Sequence, residues 1–129
     1  MKRRLFFMLV FLVAGCQRSD DALRAAQHFA DEHYVNINLA AAEALTSGLA
    51  TKKIQEERGL VEGQVIDEGT AKPRVHYTLL ERRPESEDRV SFLFQGEARV
   101  EDSVFTRKWL ITVKREDATW KVSNFHEFD

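Results

Sequence analysis

The sequence predicts an α+β fold, with N-terminal helices packed on one side of a curved four-stranded antiparallel sheet. Three observations predict it. Apolar residues recur at helical spacing from Ala22 to Gly59, then alternate with a period of two from Pro73 onward. The short polar stretches PESED, EDS and EDAT divide the alternating part into four runs. Strands joined by such short turns pair antiparallel, and helices that all precede them pack against one face of the sheet.

A different kind of segment comes first. Lys2, Arg3 and Arg4 stand before LFFMLVFLV, the unbroken apolar run from Leu5 to Val13. That run falls well short of the roughly 20 residues needed to cross a bilayer. A basic start, a short apolar stretch and small residues, in that order, describe an export signal. The signal closes on VAGC, Val13 to Cys16, which resembles the lipobox of bacterial lipoproteins with valine in place of the commoner leucine. The resemblance implies that the Cys16 thiol receives a diacylglyceryl group and that residues 1–15 are cut away. It also implies that the new N-terminus is acylated by a fatty acid such as palmitate. Residues 16–20 would then be a lipidated tether to a single domain over residues 21–129. In a Gram-negative cell, aspartate after the cysteine favours retention in the inner membrane. Gln17 implies the periplasmic face of the outer membrane. The alternative is an ordinary secretory signal with a chance cysteine.

A chain of 129 residues with 43% hydrophobic and 31% charged residues has an ordinary globular balance. The net charge is −2, but Lys2, Arg3 and Arg4 precede the apolar run and no acidic residue does. The remainder is therefore mildly acidic, which argues against nucleic acid or anionic lipid as a partner held by charge. Cys16 is the only cysteine, so no internal disulfide forms and no zinc-binding cysteine pair exists. The fold must rest on its apolar core.

In order along the chain, Ser19 or Asp20 offers a cap for the first helix, and Asp21 complements its dipole. Ala22, Ala25, Ala26, Phe29, Ala30 and His33 mark that helix's inner face. Asn36 or Asn38 caps a second, short helix with Leu39, Ala42 and Leu45 on one side, which Gly48 breaks or bends. A third helix, LATKKIQEERG, aligns Leu49, Lys53, Ile54 and Glu57 and stops at Gly59. The stretch LVEGQVIDEGTAKP reads as a loop or weak strand.

The first strand alternates Val75, Tyr77 and Leu79. The second carries Val90, Phe92, Phe94, Gly96, Ala98 and Val100, with Gly96 a natural bend or bulge. The third alternates Phe105, Arg107, Trp109, Ile111 and Val113, and the fourth Trp120, Val122, Asn124, His126 and Phe128. A turn just after Val100 sets Val90 opposite Val113 and Phe94 opposite Trp109. Strands this long must twist and curl.

Helices followed by four antiparallel strands, closing on TWKVSNFHEF with its Trp120-Lys121-Val122, resemble the nuclear transport factor two-like superfamily. The resemblance covers about residues 20–129 and implies a cone-shaped roll whose helices close over the sheet. Isomerases, dehydratases, binding proteins and inert scaffolds share that roll, so it does not by itself assign a function.

Chemical motifs are sparse. His28 and His33 lie five apart and do not share a helix face. HFADEH is one residue too long for the inverted zinc motif H-x-x-E-H, and no other converging ligands stand out, so no metal and no cofactor is expected. No G-x-S-x-G, S-x-x-K or phosphate loop is present, and no catalytic residue is assigned. One constellation remains. Tyr77, Arg107, Trp109, Asn124 and His126 fall in inward rows of the sheet, and an apolar concavity with a few converging polar groups is what a ligand site needs. With an odd-sum register Trp109 would sit opposite Asn124 or His126, and the Arg107 guanidinium could hold a carboxylate or phosphate. Two structural outcomes would undo this. Arg107 could reach water from the sheet edge, and a bulge before Phe125 would turn His126 outward. The expected function is a lipid-anchored, non-catalytic envelope module that binds a protein partner or small apolar ligand. The alternative is a small enzyme of the same fold acting on an apolar substrate. The ketosteroid-isomerase branch uses a tyrosine and acids inside the cone, and the inner rows show no pair of acids.

Overall fold

Alanines at Ala22, Ala26 and Ala30 let the first helix lie close to the sheet, and all three are buried with Phe29. The computed structural model describes residues 21–62 and 73–129. The export signal, lipobox, tether and Ser19/Asp20 cap lie outside the described residues, as does most of the stretch before Pro73. Helix α1 is α-helical over residues 21–30 and continues as a π-helical turn, Asp31–Val35. Its wider ring shows in the bond from Asn36 N–H to the Asp31 carbonyl (2.7 Å), and Asn38 N–H, bonding the Glu32 carbonyl at 2.8 Å, closes the helix end.

Of the two asparagines that could cap α2 (Leu39–Ala44), Asn38 does so, its side chain accepting from Ala41 N–H at 3.1 Å. Gly48 opens α3 (Gly48–Leu60) with a φ of +56°, a conformation that suits glycine. The buried face of α3 is Ala50 and Ile54, whereas Leu49, expected inside, is 52% exposed. The rest of the expected face holds, with Ile54 buried and Lys53 and Glu57 half-buried, and only Leu49 gives way to Ala50.

The sheet is a four-stranded antiparallel meander: β1 (Arg74–Ser86), β2 (Arg89–Val100), β3 (Ser103–Glu116) and β4 (Thr119–Phe128), in that spatial order. Val90 pairs with Val113 and Phe94 with Trp109, as the turn after Val100 requires. β1 runs through most of PESED, so the first turn is tighter than the polar stretch suggests. The connection between α2 and α3 is stitched to β4, with Ser47 N–H donating to the Val122 carbonyl (2.9 Å) and Val122 N–H to that of Leu45 (3.0 Å). Helices therefore close one side of the sheet over a core of Phe29, Ile54, Phe92, Phe94, Ile111 and Val122. Each large apolar side chain there contributes about 2 to 3 kcal/mol by burial.

Two sequence expectations about the strands are corrected. Gly96 is not a bulge, because the pairing runs through it unshifted on both sides, Tyr77 to Gly96 and Gly96 to Arg107. The irregularities of β1 fall between Leu79 and Glu81 and between Pro84 and Ser86. In β4 the register shifts between Val122 and Asn124, leaving Ser123 as the extra residue. Beyond it the alternation reverses. Phe125 is buried, His126 is exposed, and Trp109 pairs with Glu127 rather than with Asn124 or His126.

Candidate functional site

Three rows of the sheet build a concavity near the β2–β3 turn. Leu79, Phe94, Trp109 and Glu127 form one row, Tyr77, Gly96 and Arg107 the next, and Val75, Ala98 and Phe105 the outermost. The Trp109 indole lies over Gly96 so closely that a Cβ there would meet its Cζ2 at 2.2 Å. Its ring is stacked with Tyr34 of α1, centroids 3.9 Å apart and planes 4° from parallel. The result is a pocket of about 290 Å³ walled by Tyr34, Trp109, Val75, Ala98 and Phe105. Phe105, 56% exposed, stands at its rim.

The five residues singled out in the sequence divide into two groups, Tyr77, Arg107 and Trp109 on adjacent rows and Asn124 with His126 beside α3. Arg107 and Trp109 line the pocket. The Arg107 guanidinium already faces two carboxylates, Glu127 at 3.6 Å and Asp129 at 3.8 Å, and its side chain is 54% exposed. An incoming anion would have to compete with both. Tyr77 turns to α1, donating its O–H to Asp31 Oδ1 at 2.6 Å. Asn124 and His126 gather around α3: Lys53 Nζ donates to Asn124 Oδ1 and to the Phe125 carbonyl (2.8 Å each) and lies 3.4 Å from His126 Nδ1. These bonds occupy polar groups of β4, which has a neighbouring strand on one side only. His126 is therefore held apart from Arg107 and Trp109, whereas the Tyr77 ring stays beside Trp109, centroids 5.8 Å apart.

Other residues, not singled out, do come together. The Ser123 irregularity sets Glu127 opposite Trp109, placing an acid on an inner row where alternation placed none. The π-helical turn of α1 carries His33 and Tyr34. His33 stacks on Phe29 (5.2 Å) and its Nε2 lies 2.6 Å from Glu57 Oε2 of α3. A carboxylate only accepts, so Nε2 carries the proton in this contact. The Tyr34 hydroxyl and His33 Nδ1 are buried without a hydrogen-bond partner among the described residues. No sequence signal marks these residues as a group, since α1, α3 and β4 meet only in the fold. Among the described residues, no group of three or more His, Cys, Asp and Glu could hold a metal.

Both phenols ionise with difficulty. Burial, then the charges of Glu127 and Glu57, push Tyr34 far above the usual tyrosine value. Burial, then the bond to Asp31 and that group's charge, do the same for Tyr77. In the unfolded chain both ionise near pH 10. Stability is therefore undiminished below that pH and falls above it, where the unfolded chain releases protons that the native fold retains. The expected slope is about 1.4 kcal/mol per pH unit from Tyr34, with a smaller part from the more exposed Tyr77, whose charge water screens. Denaturant titrations between about pH 8 and 11 should show Tyr34→Phe removing most of that slope while leaving neutral-pH stability intact, because the hydroxyl has no partner among the described residues. Equal slopes in both proteins would contradict this assignment.

With the geometry in view, comparison with known proteins adds the fold. No protein-family description and no curated protein sequence matches the chain. Solved structures do. One is an NTF-2-like protein of unknown function from Shewanella oneidensis MR-1, 11% identical over 86% of this chain and 98% of that one, with a TM-score of 0.64. Another is a ketosteroid isomerase-like protein from Erwinia carotovora atroseptica SCRI1043, 12% identical over 84% and 92%, TM-score 0.59. A third is the CamKII hub homology domain of Chlamydomonas reinhardtii, 11% identical over 85% and 96%, TM-score 0.59. The chain has the NTF-2-like fold. At such low identities the likeness is one of architecture, and an NTF-2-like roll is compatible with an enzyme, a hub or a binding protein. What this NTF-2-like roll does must be read from its own pocket.

Proposed function

We propose that the chain is a lipid-anchored envelope protein, held through Cys16, whose NTF-2-like roll binds a small apolar molecule without transforming it. The pocket beside Trp109 carries the binding part of this reading. Its walls are aromatic and aliphatic, and its one cation, Arg107, is already faced by Glu127 and Asp129. Those charged groups form a polar rim, and the apolar interior is what recognises a ligand. The lipobox resemblance of Val13 to Cys16 supports the anchor, and Gln17 supports the periplasmic face of the outer membrane in a Gram-negative cell.

The placement of α1 relates the two parts. Ala22 lies among Pro84, Val90, Arg115 and Trp120, close to the β1–β2 and β3–β4 turns. Tyr34, about 18 Å further along the helix, stacks on Trp109 near the β2–β3 turn. A tether leading into residue 21 would hold the first end toward the bilayer and leave the pocket facing away from it.

Filling the pocket tests the binding reading. Small neutral aromatics such as indole should perturb the Val75 and Ala98 methyl resonances in a saturable way. In Ala98→Leu, whose added side chain occupies the cavity, their affinity should drop about tenfold or more. Equal affinity in the two proteins, with the fold intact by circular dichroism, would rule out this pocket as the binding site.

A further inference from the structure

A second cavity, of about 410 Å³, adjoins the Trp109 pocket, and Tyr34 and Glu127 line both. Ile37, Leu39, Leu60 and Val61 give it an apolar side drawn from α3 and the residues between α1 and α2. Each cavity keeps a large apolar side chain in water at its rim. Leu60 is 82% exposed on the helix side, and Phe105 is 56% exposed on the sheet side.

The charged groups around the two cavities already face one another. Glu57 Oε2 lies 2.6 Å from His33 Nε2, and Glu127 and Asp129 face Arg107. A charged ligand would have to displace one of these partners, which favours an uncharged one. Arg107 stands 3.6 Å and 3.8 Å from its two carboxylates, beyond hydrogen-bond range, so its N–H groups keep room for a neutral acceptor. The ring between the cavities is held in place. Tyr34 stacks on Trp109 at 3.9 Å and meets the His33 ring edge-on at 4.2 Å. A body filling both cavities must turn around that ring, which a flexible chain can do and a fused-ring molecule cannot.

Resting on the apolar-binding reading above, we propose that the ligand is a neutral single-chain amphiphile, such as a long-chain alcohol, whose alkyl chain crosses Tyr34 from the Trp109 pocket into the second cavity. Arg107 donates to its hydroxyl, Val75 and Ala98 cover the first part of the chain, and Leu39 and Leu60 cover the rest. Each methylene so buried tightens binding about fourfold.

Photolabelling of the full chain in phosphatidylcholine vesicles tests this with hexanol and dodecanol, each carrying a diazirine at the chain end, the adducts being located by mass spectrometry. The hexyl probe should label Val75 and Ala98, and the dodecyl probe should label Leu39 and Leu60. Excess unlabelled dodecanol should lower both signals about tenfold or more, but not that of Leu80, an exposed leucine that lines neither cavity. Ala98→Leu, which fills the Trp109 pocket, should cut dodecyl labelling of Leu39 and Leu60 about tenfold, although neither residue lines that pocket. Leu60→Ser, at a position too exposed to affect the fold, should raise the half-saturating concentration of dodecanol about fourfold or more and leave that of hexanol unchanged. Full dodecyl labelling of Leu39 and Leu60 in Ala98→Leu, no competed labelling there in the parent, or no effect of Leu60→Ser on dodecanol would each overturn the spanning chain while leaving the Trp109 pocket standing. Hexyl labelling undiminished in Ala98→Leu would remove the pocket itself, and the chain with it.

Discussion

Replacing Gly96 with alanine is expected to destabilise the protein by about 2 to 4 kcal/mol, lowering the melting temperature by on the order of 10 °C. Backbone preference alone points the other way, because glycine inside a strand is the less favourable residue by roughly 0.5 to 1 kcal/mol. The contact with Trp109 decides the sign. A methyl at this position would stand 2.2 Å from Cζ2, 2.6 Å from Cη2 and 2.7 Å from Cε2 of the indole. The ring cannot retreat, since its other neighbour is Tyr34 in parallel stacking at 3.9 Å, and Trp109 is only 4% exposed. The indole must leave its seat, taking with it the wall of the apolar pocket. Urea denaturation and near-ultraviolet circular dichroism would register both effects. Trp109→Leu should absorb most of the penalty in the double variant, a coupling expected only if the ring is the cause. A Gly96→Ala protein more stable than its parent would show that the close approach is not decisive.

The second large effect is all-or-none. Cys16→Ser is expected to abolish incorporation of labelled fatty acid and leave the precursor uncleaved, since an oxygen at that position does not become the thioether that carries the diacylglyceryl group. Each buried methylene contributes about 0.8 kcal/mol to membrane attachment, and one chain alone is only marginally held. Two or three chains on one residue make attachment effectively permanent, so under the proposed anchor removing all of them would change the protein's location rather than shift a partition. Fractionation of cells expressing either form measures this directly. Unchanged labelling and processing in the serine variant would remove the anchor and with it the envelope address.

Much of the architecture was legible because it depends on local periodicity. Val90, Phe92 and Phe94 alternate cleanly, and a turn immediately after Val100 leaves one register, which the pairing of Phe94 with Trp109 obeys. Ala22, Ala26, Phe29 and Ala30 marked the inner face of α1 in the same way. The candidate site was less legible. Counting by twos along β4 carried Asn124 and His126 inward, but Ser123 is an extra residue against β3, and one extra residue exchanges the two faces of everything after it. Glu127 thereby replaced His126 near Trp109. Arg107 was placed correctly on its row, but the carboxylates that face it come from β4 and the residue after it, Glu127 and Asp129.

The sequence by itself determined what nearest neighbours along the chain control: helices before strands, the order of the meander, the apolar faces, and the lipobox resemblance at Cys16. Tertiary structure alone decided what depends on separate elements meeting. It set the seat of Trp109 between Gly96 and Tyr34, the His33–Glu57 contact between α1 and α3, and the reach of Lys53 to β4. The reason is physical. A period is written into consecutive residues, whereas a bulge, a π-helical turn or a ring filling the space above a glycine is selected by packing against partners dozens of residues away.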